Sequence, residues 1–340
     1  MEFLRRRLGL IFRALVSVLL IAFQIRKIDW AKLWDILRTV DVGWLVVGAI
    51  CFLPVLLIVS WRWRLLLAVH RVRMSFWRIF ELSMIGQFFS AFLLGTTGGD
   101  VIKIFYVARA VPNQKAAVSF TVIVDRIIGM VALLLFGVTL SLTQLPLLLS
   151  TSETKFYTGL FYLFALGGVV ISGLSCIAPL FLKHRTLRSF LKKIPFIHHG
   201  ASLMSAAEKT AEAMWTNVLA LIVSLPSHMC TTLMGYCVLR SMHLDQEVPF
   251  LAFCAILAMV NMLIALPISV SGFGVREWLF GTFLGLVHVD WNHAIAFSLT
   301  YFAVNLAWSL VGGPFYFLYR HETHTPSPNV AEVEPIFSER

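Results

Sequence analysis

Six charged residues stand inside stretches that are otherwise apolar: Asp100, Lys103, Asp125, Arg126, Arg276 and Glu277. An ionised group kept in such surroundings usually faces a bundle interior or a wet cavity and pairs with a partner. Four of the six lie within four residues of a glycine pair. Gly98-Gly99-Asp100 is followed one turn later by Lys103, and Gly272-Phe273-Gly274 is followed by Arg276 and Glu277. A helix broken in lipid leaves backbone N–H and C=O groups without partners, which is tolerated only where the break is buried in protein or lines a wet cavity. A second half-helix starting just after the glycines would point its amides and its positive dipole end inward. That end is a natural seat for an anion such as a lipid phosphate. The plainer reading, interfacial turns with snorkelling charges, serves a single break nearly as well. For a pair of breaks in the two halves of a chain, each with an acid and a base, a substrate site is the stronger reading.

Asp125 and Arg126 are neighbours, so on a helix they point about 100° apart and need not pair with each other. The expected partners are Lys103 or Arg276 for Asp125, and Asp100 or Glu277 for Arg126. A static salt bridge locking the bundle is the alternative, although apolar packing could replace such a pair.

The elements around these residues read as membrane helices. Of 340 residues, 59% are hydrophobic and 14% charged, against about 25% charged in soluble domains. The apolar residues come in blocks of roughly twenty, the length that crosses hydrocarbon. The fold class is therefore an all-α integral membrane protein. Charge bias between the blocks is satisfied by about six full transmembrane helices plus two broken re-entrant pairs of opposite orientation, a possible inverted repeat. Residues 1–320 form a single polytopic membrane domain. Within it, 27–40 is an interfacial helix carrying Trp30 and Trp34, and 183–215 is a basic cytoplasmic segment. Residues 321–340 form a disordered cytoplasmic tail. Arg5, Arg6 and Arg7 put the N-terminus in the cytoplasm, and Leu8 to Ile25 reads as a retained first helix.

The net charge of +10 lies mostly between apolar blocks, which points to anionic lipid at the cytoplasmic loops and excludes nucleic acid as a partner. Cys51, Cys176, Cys230, Cys237 and Cys254 lie in apolar runs as small hydrophobes, with no metal-site spacing. His228, Asn261, Asn305 and Trp308 read as interhelical hydrogen-bonders. Arg62 and Arg64 beside Trp61 and Trp63 read as an interface belt, and Glu81 reads as interfacial. No GxSxG, P-loop, HExxH or dinucleotide fingerprint occurs, so no cofactor, metal or catalytic residue is expected.

Taken in order, several segments resemble the transmembrane, flippase region of lysylphosphatidylglycerol synthetases, the multiple peptide resistance factor family. These are Ile28-Asp29-Trp30, Arg62-Trp63-Arg64-Leu65-Leu66, Gly98-Gly99-Asp100, Asp125-Arg126 with Gly129, and Pro267 through Gly272-Phe273-Gly274-Val275-Arg276-Glu277. The likeness covers roughly Leu4 to Arg320. The family often has proline-glycine where Gly95-Thr96-Thr97 stands, and glutamate where Asp125 stands. The 340 residues hold no soluble aminoacyl-transferase domain, so synthesis of lysyl-phosphatidylglycerol by this chain alone is not expected. The resemblance implies lipid translocation in a bacterial or archaeal cytoplasmic membrane, both termini cytoplasmic. The expected binding set is Gly98, Gly99, Asp100, Lys103, Asp125, Arg126, Gly272, Gly274, Arg276 and Glu277, acting on a phospholipid or lipid-linked headgroup. Two other readings are a membrane transferase on polyprenyl or phospholipid substrates, with Asp100 or Glu277 as base, and a non-catalytic partner of a soluble synthase. A homodimer is a further possible association.

Overall fold

A computed structural model describes residues 19–20, 22–92, 97–182, 201–265 and 272–322. Most of the first span, Gly95 and Thr96, residues 183–200 of the basic segment, Pro267 to Ser271 and the tail from 323 onward lie outside the described residues. Among the described residues every regular element is helical. The helices are α1 (Trp30–Arg38), α2 (Val42–Val69), α3 (Phe76–Phe92), α4 (Thr97–Ala110), α5 (Lys115–Thr143) and the short α6 (Leu145–Leu148). They continue with α7 (Ser152–Leu182), α8 (Ala201–Glu212), α9 (Met214–Ser241), α10 (Phe250–Ala265), α11 (Val275–Gly285) and α12 (Trp291–Glu322).

Four helices among the described residues are long and apolar enough to cross a membrane: Val42–Val69, Met214–Ser241, Trp291–Tyr319, and α5 with the turn before it, Pro112–Thr143. The outward faces of these helices and of α7 carry hydrophobic stripes where a soluble bundle would carry charge. On α5 the exposed residues include Ile123, Ile127 and Met130, and on α7 Phe156, Leu163, Leu166 and Val170. The three-, four- and seven-residue intervals place each set on one helical face, and so much exposed apolar surface requires a lipid neighbour. The four described cysteines, Cys51, Cys230, Cys237 and Cys254, are free thiols.

Four helices that pair with one another are too short to span. At 1.5 Å per residue, α3, α4, α10 and α11 measure about 25, 21, 24 and 17 Å, against about 30 Å of hydrocarbon. They pack as two hairpins, α3 on α4 and α10 on α11. In the first hairpin, a Cβ on Gly99 would stand 2.1 Å from the Gly86 carbonyl oxygen and 2.1 Å from Ser90 Oγ. The two backbones therefore nearly touch. In the second hairpin, α10 is sheathed by protein on all sides, with Ala252 through Val260 buried throughout.

The long helix α12 fixes how the hairpins are related. Near its start, Ser298 bonds to Arg276 of α11. Near its end, a Cβ on Gly312 would lie 2.2 Å from the Met84 carbonyl oxygen of α3, and Phe315 packs edge-on against Phe80. The hairpins thus pack near opposite ends of one long apolar helix.

The α2–α9 pair is antiparallel, with Asp41 N–H donating to Ser241 O at 2.9 Å, Gly48 against Cys237 and Arg62 bonded to Ser224. The α1 helix, capped by Asp29, buries Leu33 and Ile36 and exposes Trp30 and Trp34, which suits an interfacial helix. Lys32 reaches Asp290 at 3.3 Å. Burial alone would raise the Asp290 carboxyl, but hydrogen bonds from His293, the Asn292 N–H and Lys32, with the His293 charge, outweigh it and bring the group to about 2.

At the other end of α2, His70 is buried and shares a 2.9 Å hydrogen bond with Thr210 of α8. Burial, then the charge of Lys209, push its imidazole below its ordinary 6.5. The folded chain therefore takes up this proton less readily than the unfolded chain. The His70 contribution is complete above about pH 6.5 and is lost as the pH falls below it.

Two outcomes are expected. Gly99→Ala should cost about 1–3 kcal/mol or more through overpacking, whereas Gly159→Ala, with nothing within 4 Å of the added Cβ, should be neutral or mildly stabilising. Thermal unfolding of the purified chain in detergent compares the two. The same measurement between pH 7 and 5 should show a falling midpoint, and His70→Gln should flatten part of that slope.

Candidate functional site

Five charged side chains meet where α2, α4 and α5 come together beside α9. Arg62 of α2 grips Asp125 of α5 with both arms of its fork, Nε to Oδ1 at 2.7 Å and Nη2 to Oδ2 at 3.0 Å. Its remaining nitrogen, Nη1, donates to Ser224 Oγ of α9 at 2.9 Å. Arg62 is 5% exposed and Asp125 7%, so the pair is buried. Bidentate geometry and a third hydrogen bond are what a buried pair needs to offset the loss of water. One turn beyond Asp125, Gly129 leaves room for the guanidinium, since a Cβ there would lie 3.0 Å from Nη1. His228 of α9 hydrogen-bonds the Gly129 carbonyl at 3.1 Å, which requires its Nε2 to carry the proton.

Arg126 turns the other way. Its Nε donates to Asp100 Oδ2 of α4 at 2.7 Å. The Arg126 side chain is 44% exposed and that of Asp100 13%, so this second pair lies at the open side of the cluster. Lys103 stands between the two pairs, within electrostatic reach of Asp125, Asp100, Arg126 and Arg62. Its stem lies along Gly86, where a Cβ would come within 2.8 Å of Cε, and its ammonium faces the Trp63 ring at 5.3 Å. Among the described residues Lys103 forms no ion pair.

The second cluster is built differently. Gly272 and Gly274 have positive φ, 79° and 82°, a region that favours glycine. They turn the chain into α11, which begins at Val275. Glu277 folds back on this turn, accepting the Gly274 N–H at 2.7 Å. Its other oxygen accepts from Arg276 Nε at 2.9 Å and Nη2 at 2.5 Å, and from Ser298 Oγ at 3.1 Å. Arg276 is clasped by the rings of Phe302 at 4.5 Å and Phe273 at 5.3 Å. Gln24 donates to the Gly274 carbonyl at 2.6 Å. The charges here are closed upon one another.

Several sequence expectations change. Asp125 pairs with Arg62 rather than Lys103 or Arg276, because adjacent helix positions face different neighbours and α2 lies on the Asp125 side. Arg126 does pair with Asp100. Arg62 and Trp63 are not belt residues. Trp63 is 1% exposed, and the apolar run Leu65 to Val69 after it, which keeps α2 going, was the available signal. The α4 helix starts at Thr97, ahead of Gly98 and Gly99. Gly99 therefore serves close packing within the first turn instead of breaking the helix. At Gly274 the amide expected to face a ligand is taken by Glu277. Glu81 pairs with Arg78 at 2.7 Å. Asn261 reaches Tyr301 Oη and Trp308 reaches the Ala49 carbonyl, both between helices, whereas Asn305 bonds within its own helix.

The family model for the lysylphosphatidylglycerol synthase TM region matches residues 10–313. The chain belongs to this family. Both charged clusters lie inside the matched span, and membership ties the chain to membrane lipid chemistry. Among curated proteins, none matches.

The Arg62–Asp125 pair supplies a test. Asp125→Asn should cost about 3–5 kcal/mol by leaving Arg62 buried without its counter-ion, while the double variant Arg62→Met with Asp125→Leu should recover most of that loss. A double-mutant cycle on thermal stability reads both.

Proposed function

We propose that the chain is a lipid flippase or lipid transporter, and that the headgroup phosphate docks in the cluster around Lys103. The observation that carries this reading is a charge imbalance. Three basic residues, Arg62, Lys103 and Arg126, meet two carboxylates, Asp100 and Asp125. Both carboxylates already pair with arginines, which leaves the Lys103 ammonium to an incoming anion. One phosphodiester carries the single negative charge that balances it.

The cluster sits against a hairpin of half-length helices, and Arg126 is open to its surroundings. A headgroup there would stay hydrated and paired while its acyl chains remain in lipid. The Arg276–Glu277 pair is already neutral and enclosed by aromatic rings, so its role in this scheme is to hold the second hairpin in shape. The chain would lie in a bacterial or archaeal cytoplasmic membrane, and the charge bias of its loops favours both termini inside.

Headgroup scrambling in proteoliposomes tests the reading. Lys103→Met should slow movement of a fluorescent phospholipid by at least about tenfold, the effect of losing roughly 1.4 kcal/mol. Lys103→Arg should retain most of the rate. Transport unaffected by Lys103→Met and by Asp100→Asn would overturn it.

A further inference from the structure

A cavity lies away from the charged core, at the end of α2 that the charge bias assigns to the cytoplasm. Its volume is about 650 Å³, and it is lined by Leu65, Ala68, Val69, Arg71, Lys209 and Glu212, with Ala213 and Thr216 beside them. That is within the usual size of a small-ligand site. The lining divides by chemistry. Leu65, Ala68 and Val69 form an apolar wall from α2, while Arg71, Lys209 and Glu212 supply charge. Among the described residues none of these three charged side chains has an ion-pair partner. Two cations against one carboxylate leave one positive charge unbalanced.

Two further features bear on the occupant. Arg71 has φ 60°, a left-handed conformation normally given to glycine at a helix end. Its N–H bonds to Ala68 O at 2.9 Å and that of Val72 to Leu67 O at 3.1 Å, so the turn that closes α2 also fixes where Arg71 begins. An arginine held in a position that glycine would fill more easily points to use of its side chain. Beside the cavity, Met214 is 65% and Trp215 85% exposed. An exposed tryptophan next to basic residues marks the headgroup level of a bilayer.

We infer that this cavity binds one anionic phospholipid of the surrounding leaflet. The phosphodiester lies between Arg71 and Lys209, one acyl chain runs along Leu65, Ala68 and Val69, and Trp215 sits at the headgroup boundary. A lipid with one net negative charge neutralises the site, whereas a zwitterionic lipid leaves it charged. The apolar wall and the exposed Met214 and Trp215 favour a lipid over a soluble phosphate compound. The site is independent of the Lys103 cluster.

The test uses the full chain in nanodiscs of phosphatidylcholine doped with phosphatidylglycerol brominated on its acyl chains. Bromine near an indole quenches its emission, and the Trp215 share is the difference between the chain and its Trp215→Phe variant. Quenching by brominated phosphatidylglycerol should exceed that by brominated phosphatidylcholine, with an apparent affinity preference on the order of tenfold for two basic residues. Arg71→Gln with Lys209→Gln should bring the preference close to one. Glu212→Gln should increase it, a gain that misfolding cannot imitate. Lys103→Met should leave it unchanged, which separates this site from the transport reading. Equal quenching by both lipids, or loss of the preference on adding millimolar inorganic phosphate at constant ionic strength, would overturn the inference.

Discussion

An ion buried among apolar helices must have its counter-ion beside it, and the Arg62–Asp125 pair is where this requirement shapes the bundle. The fork of Arg62 uses three nitrogens on two other helices, so α2, α5 and α9 are held in one register. Gly129 and His228 follow from that contact. The first makes space for the guanidinium, and the second occupies the carbonyl of the same glycine. Once Asp125 faces α2, the helical rotation of about 100° turns Arg126 toward α4. The Asp100 contact and the position of Lys103 depend on that rotation.

The two hairpins meet the cost of ending helices inside a bundle by different means. In the second, glycines adopt backbone angles that other residues avoid, and the carboxylate of Glu277 caps the new helix. That solution is self-contained, with its arginine neutralised and flanked by rings. In the first, the glycines lie in regular helix and allow two backbones to approach. Its charges are shared among three helices, Lys103 forms no ion pair among the described residues, and the Arg126 side chain is 44% exposed. The two breaks therefore differ in how their charges are met, one closed upon itself and the other spread over neighbouring helices.

Much of this was legible in the residues themselves. Block length and low charge gave the all-helical membrane class, and the positions of Gly98, Gly99, Gly272 and Gly274 located both hairpins. The amphipathic spacing of Ile28 to Leu37 located α1. Charge parity between loops pointed to hairpins of opposite orientation, and α12 contacts the two hairpins at separate places along its length. What stayed hidden were partners. Arg62 read as part of an interface belt because arginines beside tryptophans usually lie at an interface, and only its contact with α5 shows otherwise. The enclosure of Arg276 by Phe302 and Ser298 joins residues more than twenty positions apart.

The sequence by itself determined that the protein lives in a membrane, that its helices are interrupted twice, and which charges lie within apolar segments. Hydrophobicity, helix length and backbone permissiveness are local properties that each segment carries alone. Only the tertiary structure decided which charge answers which, because that depends on the rotation of each helix about its axis and on its neighbours. Those are set by packing summed over the bundle, such as the close approach of Gly99 to Gly86 and of Gly312 to Met84. The charged, glycine-rich breaks were visible from the start, and the fold made one of them a closed joint and left the other with a charge to share.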